Sequence, residues 1–210
     1  MGTQYALPIE MLQKWAKEKP NAVYLSQPVN REYIKFTWAE CYDAVRRMAT
    51  ALQSMGFQPG DRIGILSKNC AEWFLADFAI QAAGFVSAPI YYTASADTIS
   101  YIVDHADVKA VFMGKLDDLA PSEAGIRDGV IKIAFPYKTI DCEYSWKELL
   151  KHMSLSRKTR LPSRNWMTCS PLFTPPVPRA IQKALKSAIA TSLLVRGLRA
   201  RLWSCMAMSA

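Results

Sequence analysis

The chain has 210 residues, half of them hydrophobic, enough for one packed core and a small second unit, and its composition is not that of a disordered protein. Its formal charge of +8 invites a nucleic-acid reading, but residues 1–150 carry 15 Lys+Arg against all 18 Asp+Glu, while residues 151–210 carry the other 11 Lys+Arg and no acid. The basicity belongs to the C-terminal stretch alone, so no nucleic-acid partner is expected for the remainder.

In chain order, residues 8–19 read as an amphipathic helix with Ile9, Leu12, Trp15 and Ala16 on one face and Pro20 ending it. Two short strands, 22–25 and 33–36, follow across a Pro-Asn segment. Thr37 with Glu40 three residues on is a capping box, and Cys41, Val45, Met48, Leu52 and Met55 recur behind it at helical spacing up to Gly56. Residues 62–66 form an apolar strand, and Asn69 with Glu72 is expected to cap an apolar helix running to Ala83. Gly84 then releases the chain into a buried strand, 85–91. Ser95 or Asp97 opens a helix ending near His105, strands follow at 109–113 and 130–135, and Ser145 with Glu148 opens a short helix through His152.

Strands alternating with helices through short connections imply an α/β fold, an incomplete parallel sheet with helices on both faces. After Ser154 that regularity stops: 155–165 is basic and polar, and Pro171, Pro175, Pro176 and Pro178 interrupt any element before Ile181. There is no internal repeat. The most apolar stretch, 73–90, contains Asp77, Gln81, Gly84 and Pro89, so no transmembrane segment is expected.

Several residues tempt a functional reading, and each has a plainer one. Asp77 in an apolar helix has no partner that would make it a general base. His105 suits a helix C-terminus, where the dipole favours a cation. Asp117 and Asp118 lack a third ligand and fit a surface loop. Cys70 beside a helix start invites a lowered thiol pKa, but a small buried hydrophobe is the better account. Trp73, Phe74 and Phe78 suggest an acyl channel, yet aromatic residues on an apolar helix are mostly core. The five cysteines, Cys41, Cys70, Cys142, Cys169 and Cys205, form no C-x-x-C pair. With no signal peptide legible, they point to a reducing, cytoplasmic location. With only His105 and His152 beside them, no zinc site is expected.

Residues 60–91, GDRIGILSKNCAEWFLADFAIQAAGFVSAPIY, resemble the N-terminal part of AMP-forming long-chain acyl-CoA synthetases, members of the adenylate-forming enzyme family. Their pattern reads like GDRVAILSxNxxEWxxADLAxxxxGAVxVPIY. The flanks 36–56 and 99–114 have counterparts in the same order, and the resemblance covers roughly residues 7–151. Tyr92 departs from it, standing where the family carries Pro. The resemblance implies a ligase using fatty acid, ATP, Mg²⁺ and coenzyme A. A carboxylate attacks the α-phosphate of ATP to give an acyl-adenylate and pyrophosphate, and the coenzyme A thiol then displaces AMP. The family's glycine-rich loop would offer backbone N–H groups to the phosphate oxygens.

That loop lies in a neighbouring reading frame. Trp166-Met167-Thr168 must be encoded TGG-ATG-ACN, and joining the last base of each codon to the first two of the next gives Asp-Asp with no codon choice. The same shift over 172–185, LFTPPVPRAIQKAL, with permitted third bases, spells Ile-Tyr-Thr-Ser-Gly-Ser-Thr-Gly-Asn-Pro-Lys-Gly-Ala, the family's phosphate-binding signature. Residues 1–154 are therefore expected to be the N-terminal portion of an AMP-dependent ligase domain, and 155–210 an out-of-frame, unstructured tail. No catalytic, cofactor-binding or metal-binding residue is assigned. ATP, Mg²⁺ and coenzyme A are not expected to bind this chain productively, and unpaired sheet edges are expected to favour aggregation. The competing reading is a non-catalytic interaction module whose basic tail binds anionic membrane or nucleic acid, which leaves a peripheral membrane contact open.

Overall fold

Apolar residues alternate along the central strands β3 (Arg62–Leu66) and β5 (Val108–Met113) so that each of these two feeds two separate packed layers. The computed structural model describes residues 7–29 and 31–152. Five strands make one all-parallel sheet in the order β4-β3-β5-β6-β7: β3 (Arg62–Leu66), β4 (Val86–Ile90), β5 (Val108–Met113), β6 (Ile131–Ala134) and β7 (Tyr144–Ser145). Ile63 and Ile65 of β3 and Ala110 and Phe112 of β5 enter one core, packed by α1 (Pro8–Glu18), α2 (Trp38–Ser54), α3 (Ala71–Ala82) and α6 (Trp146–His152). Leu66, Val111 and Met113 enter the other, beneath α4 (Ala96–His105) and alongside α5 (Ala120–Gly125). The sheet is thus covered on both faces, as the strand-helix alternation implies. The register of β5 on β3 skips Lys109, which is why Val108 and Val111 reach the same layer although three residues apart.

A separate two-stranded ribbon, β1 (Val23–Val29) paired antiparallel with β2 (Glu32–Thr37), leads into α2. β1 runs beyond the expected 22–25 and through Pro28; a ribbon leaves one edge of the strand open, where a missing N–H forfeits no ladder bond. The capping box at Thr37 forms as read, with Glu40 N–H donating to Thr37 Oγ1 at 3.3 Å and Thr37 N–H donating to the Glu40 carboxylate at 2.8 Å. Cys41, Val45, Met48 and Leu52 are fully buried, and Gly56 takes φ +83°, the left-handed conformation that stops the helix.

Three expectations need correction. Asn69 and Glu72 do not cap α3: Cys70 is the N-cap residue and its side chain makes no cap bond, while Ala71 N–H donates at 3.0 Å to Gln27 Oε1 in β1. Glu72 is drawn away because its carboxylate is buried against Tyr137. The strand at 85–91 is not buried on both sides, since β4 ends the sheet and leaves Val86 45% exposed. Phe74 is not core either, at 42% exposure.

Two short elements went unread, α5 and β7. Pro121 and Gly125 look like loop residues, yet a Cβ on Gly125 would come within 2.7 Å of Ala96 O, so glycine is what lets α5 close on α4. Three aromatic rings pin α6 to the sheet: Phe112, Phe135 and Trp146 have centroids 5.4–5.9 Å apart and are almost wholly buried. Among the described residues no helix is long and apolar enough to cross a membrane. The expected tail, 155–210, with Cys169, Cys205 and the prolines, lies outside the described residues.

Candidate functional site

In an open parallel sheet, ligands enter beyond the carboxyl ends of neighbouring strands whose onward connections leave to opposite faces. Here those strands are β3 and β5, at the centre of the sheet: the chain leaves β3 toward α3 on one face and β5 toward α5 on the other. The two strands end in short polar turns, Ser67-Lys68-Asn69 and Gly114-Lys115, that face each other.

The turns are stitched together. Gly114 N–H donates to Leu66 O at 3.0 Å, Lys68 N–H to Lys115 O at 2.9 Å, and Lys115 N–H to Ser67 Oγ at 2.9 Å, while the Ser67 hydroxyl donates to Lys68 O at 2.7 Å. Ser67 packs directly against Gly114 between the two strand ends: a Cβ on Gly114 would lie 2.1 Å from its Oγ and 2.7 Å from Phe135 Cδ2. Lys68 closes the outer side, its Nζ 2.6 Å from Asp117 Oδ1 and 5.3 Å from the Tyr92 ring centre. Both charges are partly exposed, so this ion pair contributes at most about 1 kcal/mol.

Behind Ser67 lies a second polar cluster at the start of α3. The Tyr137 hydroxyl donates to Glu72 Oε2 at 2.9 Å, and Glu72 is only 9% exposed. Burial, then the adjacent Glu72 charge, pushes the Tyr137 hydroxyl pKa well above its usual value. The Cys70 thiol, 3.8 Å from Ser67 Oγ, is pushed up to about 11, chiefly by burial. That is the inert, buried thiol of the plain reading, since a nucleophilic cysteine needs a lowered pKa. Burial likewise raises Cys41 to about 12 and Cys142 to about 11.

The other weighed residues are placed apart from the crevice or engaged locally. Asp77 accepts from Gln81 Nε2 at 2.7 Å, one turn along α3. His105 ends α4 and stacks on Tyr101 with centroids 5.2 Å apart. Asp117 pairs with Lys68, and Asp118 Oδ1 accepts from Ala120 N–H at 3.0 Å, so the two adjacent acids serve different partners. Trp73 and Phe78 pack against the first core, with Phe74 edge-on to Trp73 and open to solvent. Among the described residues no three His, Cys, Asp or Glu side chains converge where a metal ion could sit.

The residues that organise the crevice, Ser67, Gly114, Gln27 and Tyr137, were not singled out from sequence. The one available signal was positional: two apolar strands of a parallel sheet each end in a small residue, Ser67 and Gly114. Nothing local to Gln27 or Tyr137 announces partners 44 and 65 positions away.

Comparison with known proteins places this scaffold. The model of a family described as AMP-binding enzyme matches residues 12–183, beyond the point at 154 where regular patterning stops. Long chain acyl-CoA synthetase 2 of Arabidopsis thaliana is 32% identical over 118 residues, covering 54% of this chain and 18% of that protein. Long chain acyl-CoA synthetase 1 of the same plant is 36% identical over 81 residues, 39% of this chain and 12% of its own. The chain thus spans less than a fifth of the length of these relatives. Among solved structures, the anthranilate CoA ligase AuaEII in complex with anthranoyl-AMP superposes with a TM-score of 0.63 at 16% identity, over 76% of this chain and 30% of that one, a likeness of fold.

Proposed function

The chain belongs to the AMP-binding enzyme family, and from that membership we propose that it descends from an AMP-forming ligase joining a long-chain fatty acid to coenzyme A, and that the chain as given does not itself bind nucleotide productively. The long-chain class is supported by the relatives named above, both long chain acyl-CoA synthetases. In the proposed parent reaction the carboxylate oxygen bonds to the α-phosphorus of ATP as the bond to pyrophosphate breaks. The coenzyme A sulfur then bonds to the acyl carbon, AMP leaves and the thiol proton is released. Negative charge gathers on phosphate oxygens in the first step, so it needs preorganised N–H donors and the Mg²⁺ that accompanies ATP.

The observation that carries the second half is the neighbouring frame of residues 172–185. Its thirteen-residue string supplies the N–H-rich loop, whereas the translated residues put Pro175, Pro176 and Pro178, which have no N–H to give, on the same bases. Because the glycine-rich frame starts on the third base of each codon, the chain reads as though one base had been lost between the codons for 154 and 166. The charge split agrees, since a displaced frame explains a stretch of 60 residues with 11 cations and no acid. In the described part, the turns beyond β3 and β5 bond to one another through Ser67 and Lys115, and Lys68 pairs with Asp117.

The test has two arms. Sequencing the transcript across codons 150–185 and beyond is expected to reveal a ligase frame continuing one base out of phase; a transcript encoding no such frame sinks the descent by frame loss. Calorimetric titration of the full chain with ATP and Mg²⁺ is expected to give no saturable heat up to millimolar nucleotide. Mg²⁺-dependent binding at millimolar or tighter affinity overturns the proposed inactivity.

A further inference from the structure

Among the described residues four strands border open sheet edges: β4 and β7 in the five-stranded sheet, β1 and β2 in the ribbon. An open edge offers N–H and C=O groups to another chain, and proline or extreme shortness blunts it. β7 has only two residues. In β4, Val86 N–H donates inward to Asp61 O at 2.8 Å, so by alternation residues 87 and 89 turn outward, and Pro89 has no N–H to offer. In the ribbon, the two residues between Val29 and Glu32 close it on a hydrogen-bonded pair, which makes the next pair, Pro28 with Tyr33, a non-bonded one. Pro28 therefore removes a donor from the outer edge of β1. β2 is the exception. The same alternation turns the N–H and C=O groups of Tyr33 and Lys35 outward, no described residue bonds to them, and Tyr33 and Ile34 are 67% and 49% exposed.

We propose that β2 pairs antiparallel with β2 of a second copy of this chain, Ile34 opposite the partner's Ile34 on a two-fold axis, to make one four-stranded sheet with β1 on each outside. Charge selects that register. A two-fold axis through an antiparallel pair keeps each face on its own side, so a residue can oppose only one of the same parity. Centring the pair on Tyr33 sets Lys35 opposite the partner's Arg31, and centring it on Lys35 sets that ammonium opposite its own copy; like charges directly opposed are destabilising. Centring on Ile34 sets Lys35 opposite the partner's Tyr33, a pair whose backbone groups both point outward and can exchange bonds. It also brings Arg31 to the partner's Thr37, whose hydroxyl holds the Glu40 carboxylate at 2.9 Å. The Ile34 pair is then a non-bonded one, where facing side chains approach most closely and leave water together. The assembly closes on itself, because Pro28 denies a third chain its donor on either outside strand. A contact of a few residues a side lies at the low end of interface size, which makes the dimer weak and reversible.

Sedimentation equilibrium of the full 210-residue chain, from about 1 to about 200 µM, is expected to show monomer passing to dimer and no larger species. Lys35→Pro removes an N–H that the ribbon does not use, and Ile34→Lys brings two like charges together on the axis. Each is expected to weaken dimerisation about ten-fold or more, with a urea midpoint close to the parent's, so that loss of pairing is told apart from loss of fold. Ile34→Cys under mild oxidation is expected to yield chains cross-linked at position 34, identified by peptide mass spectrometry. Glu32→Cys, displaced along the strand from its own copy, is expected to yield none. A parent chain that stays monomeric throughout overturns the proposal, as does association that Lys35→Pro and Ile34→Lys both leave unchanged, or cross-linking at 32 as readily as at 34.

Discussion

Gly114→Ala tests the claim that Ser67 packs directly against Gly114 between the ends of β3 and β5. The added Cβ would sit 2.1 Å from Ser67 Oγ, 2.3 Å from Ser67 Cβ and 2.7 Å from Phe135 Cδ2, all far inside contact distance. Overpacking of this kind costs about 1–3 kcal/mol. If Ser67 yields, Lys115 N–H loses its acceptor, at about 1 kcal/mol or more. The expected loss for Gly114→Ala is therefore about 3 kcal/mol. Ser67→Gly, which strands the same N–H and loosens the turn, should cost about 2 kcal/mol. Because both substitutions act on the same atoms, the double variant should lose about 3 kcal/mol rather than about 5, a coupling of about 2 kcal/mol. Urea titration followed by tryptophan fluorescence measures all four corners of the cycle, Trp146 being buried against Phe135. Simple additivity would mean that Ser67 and Gly114 do not share that space, and the direct packing would have to be given up.

Two further outcomes follow from the same structure. Gln27→Leu keeps bulk on β1 but leaves Ala71 N–H without its acceptor; a loss of about 1 kcal/mol is expected by urea titration, with amide exchange rising first at residues 71–73, and an unchanged midpoint would mean α3 needs no cap from the ribbon. The Asp107 carboxyl is held below the usual range, first by the hydrogen bond from Lys109 and then by the charges of Lys109, Arg62 and Arg127. A depressed carboxylate contributes stability above its unfolded value, about 3.9, and loses it as pH falls through the folded value. The gap between parent and Asp107→Asn should thus be constant from pH 5 to 7, close in acid, and shrink in high salt; a gap that widens in acid refutes the sign. Asn is the suitable replacement because position 107 has φ +49°, which it tolerates.

What the sequence disclosed is whatever depends on neighbours a few positions apart. The Thr37 and Ser95 caps, the stripe from Cys41 to Leu52 and the β3-α3-β4-α4-β5 alternation all rest on spacings within one turn or one strand, and all are present. What stayed hidden depends on pairing at a distance. Asn69-Glu72 has the local spelling of a cap, but burial beside Tyr137 gives Glu72 a stronger partner and leaves the helix start to Gln27. The edge position of β4 is likewise a property of strand order, which Val86 and Pro89 alone do not reveal. The crevice was invisible for a further reason: Ser67 and Gly114 are ordinary turn residues until the sheet brings them together.

The place of β3 in the sheet also bears on how the molecule is made. It is synthesised first of the five strands yet ends between β4 and β5, with α3, β4 and α4 all intervening before β5 emerges. During synthesis one flank of β3 finds its neighbour quickly, while the other stays bare until more than forty further residues have left the ribosome, a long interval with apolar Ile63 and Ile65 unprotected. Non-local parallel pairing of this sort folds slowly and leaves sticky intermediates. The nascent chain should accordingly lean on holding chaperones most heavily between the appearance of β4 and that of β5.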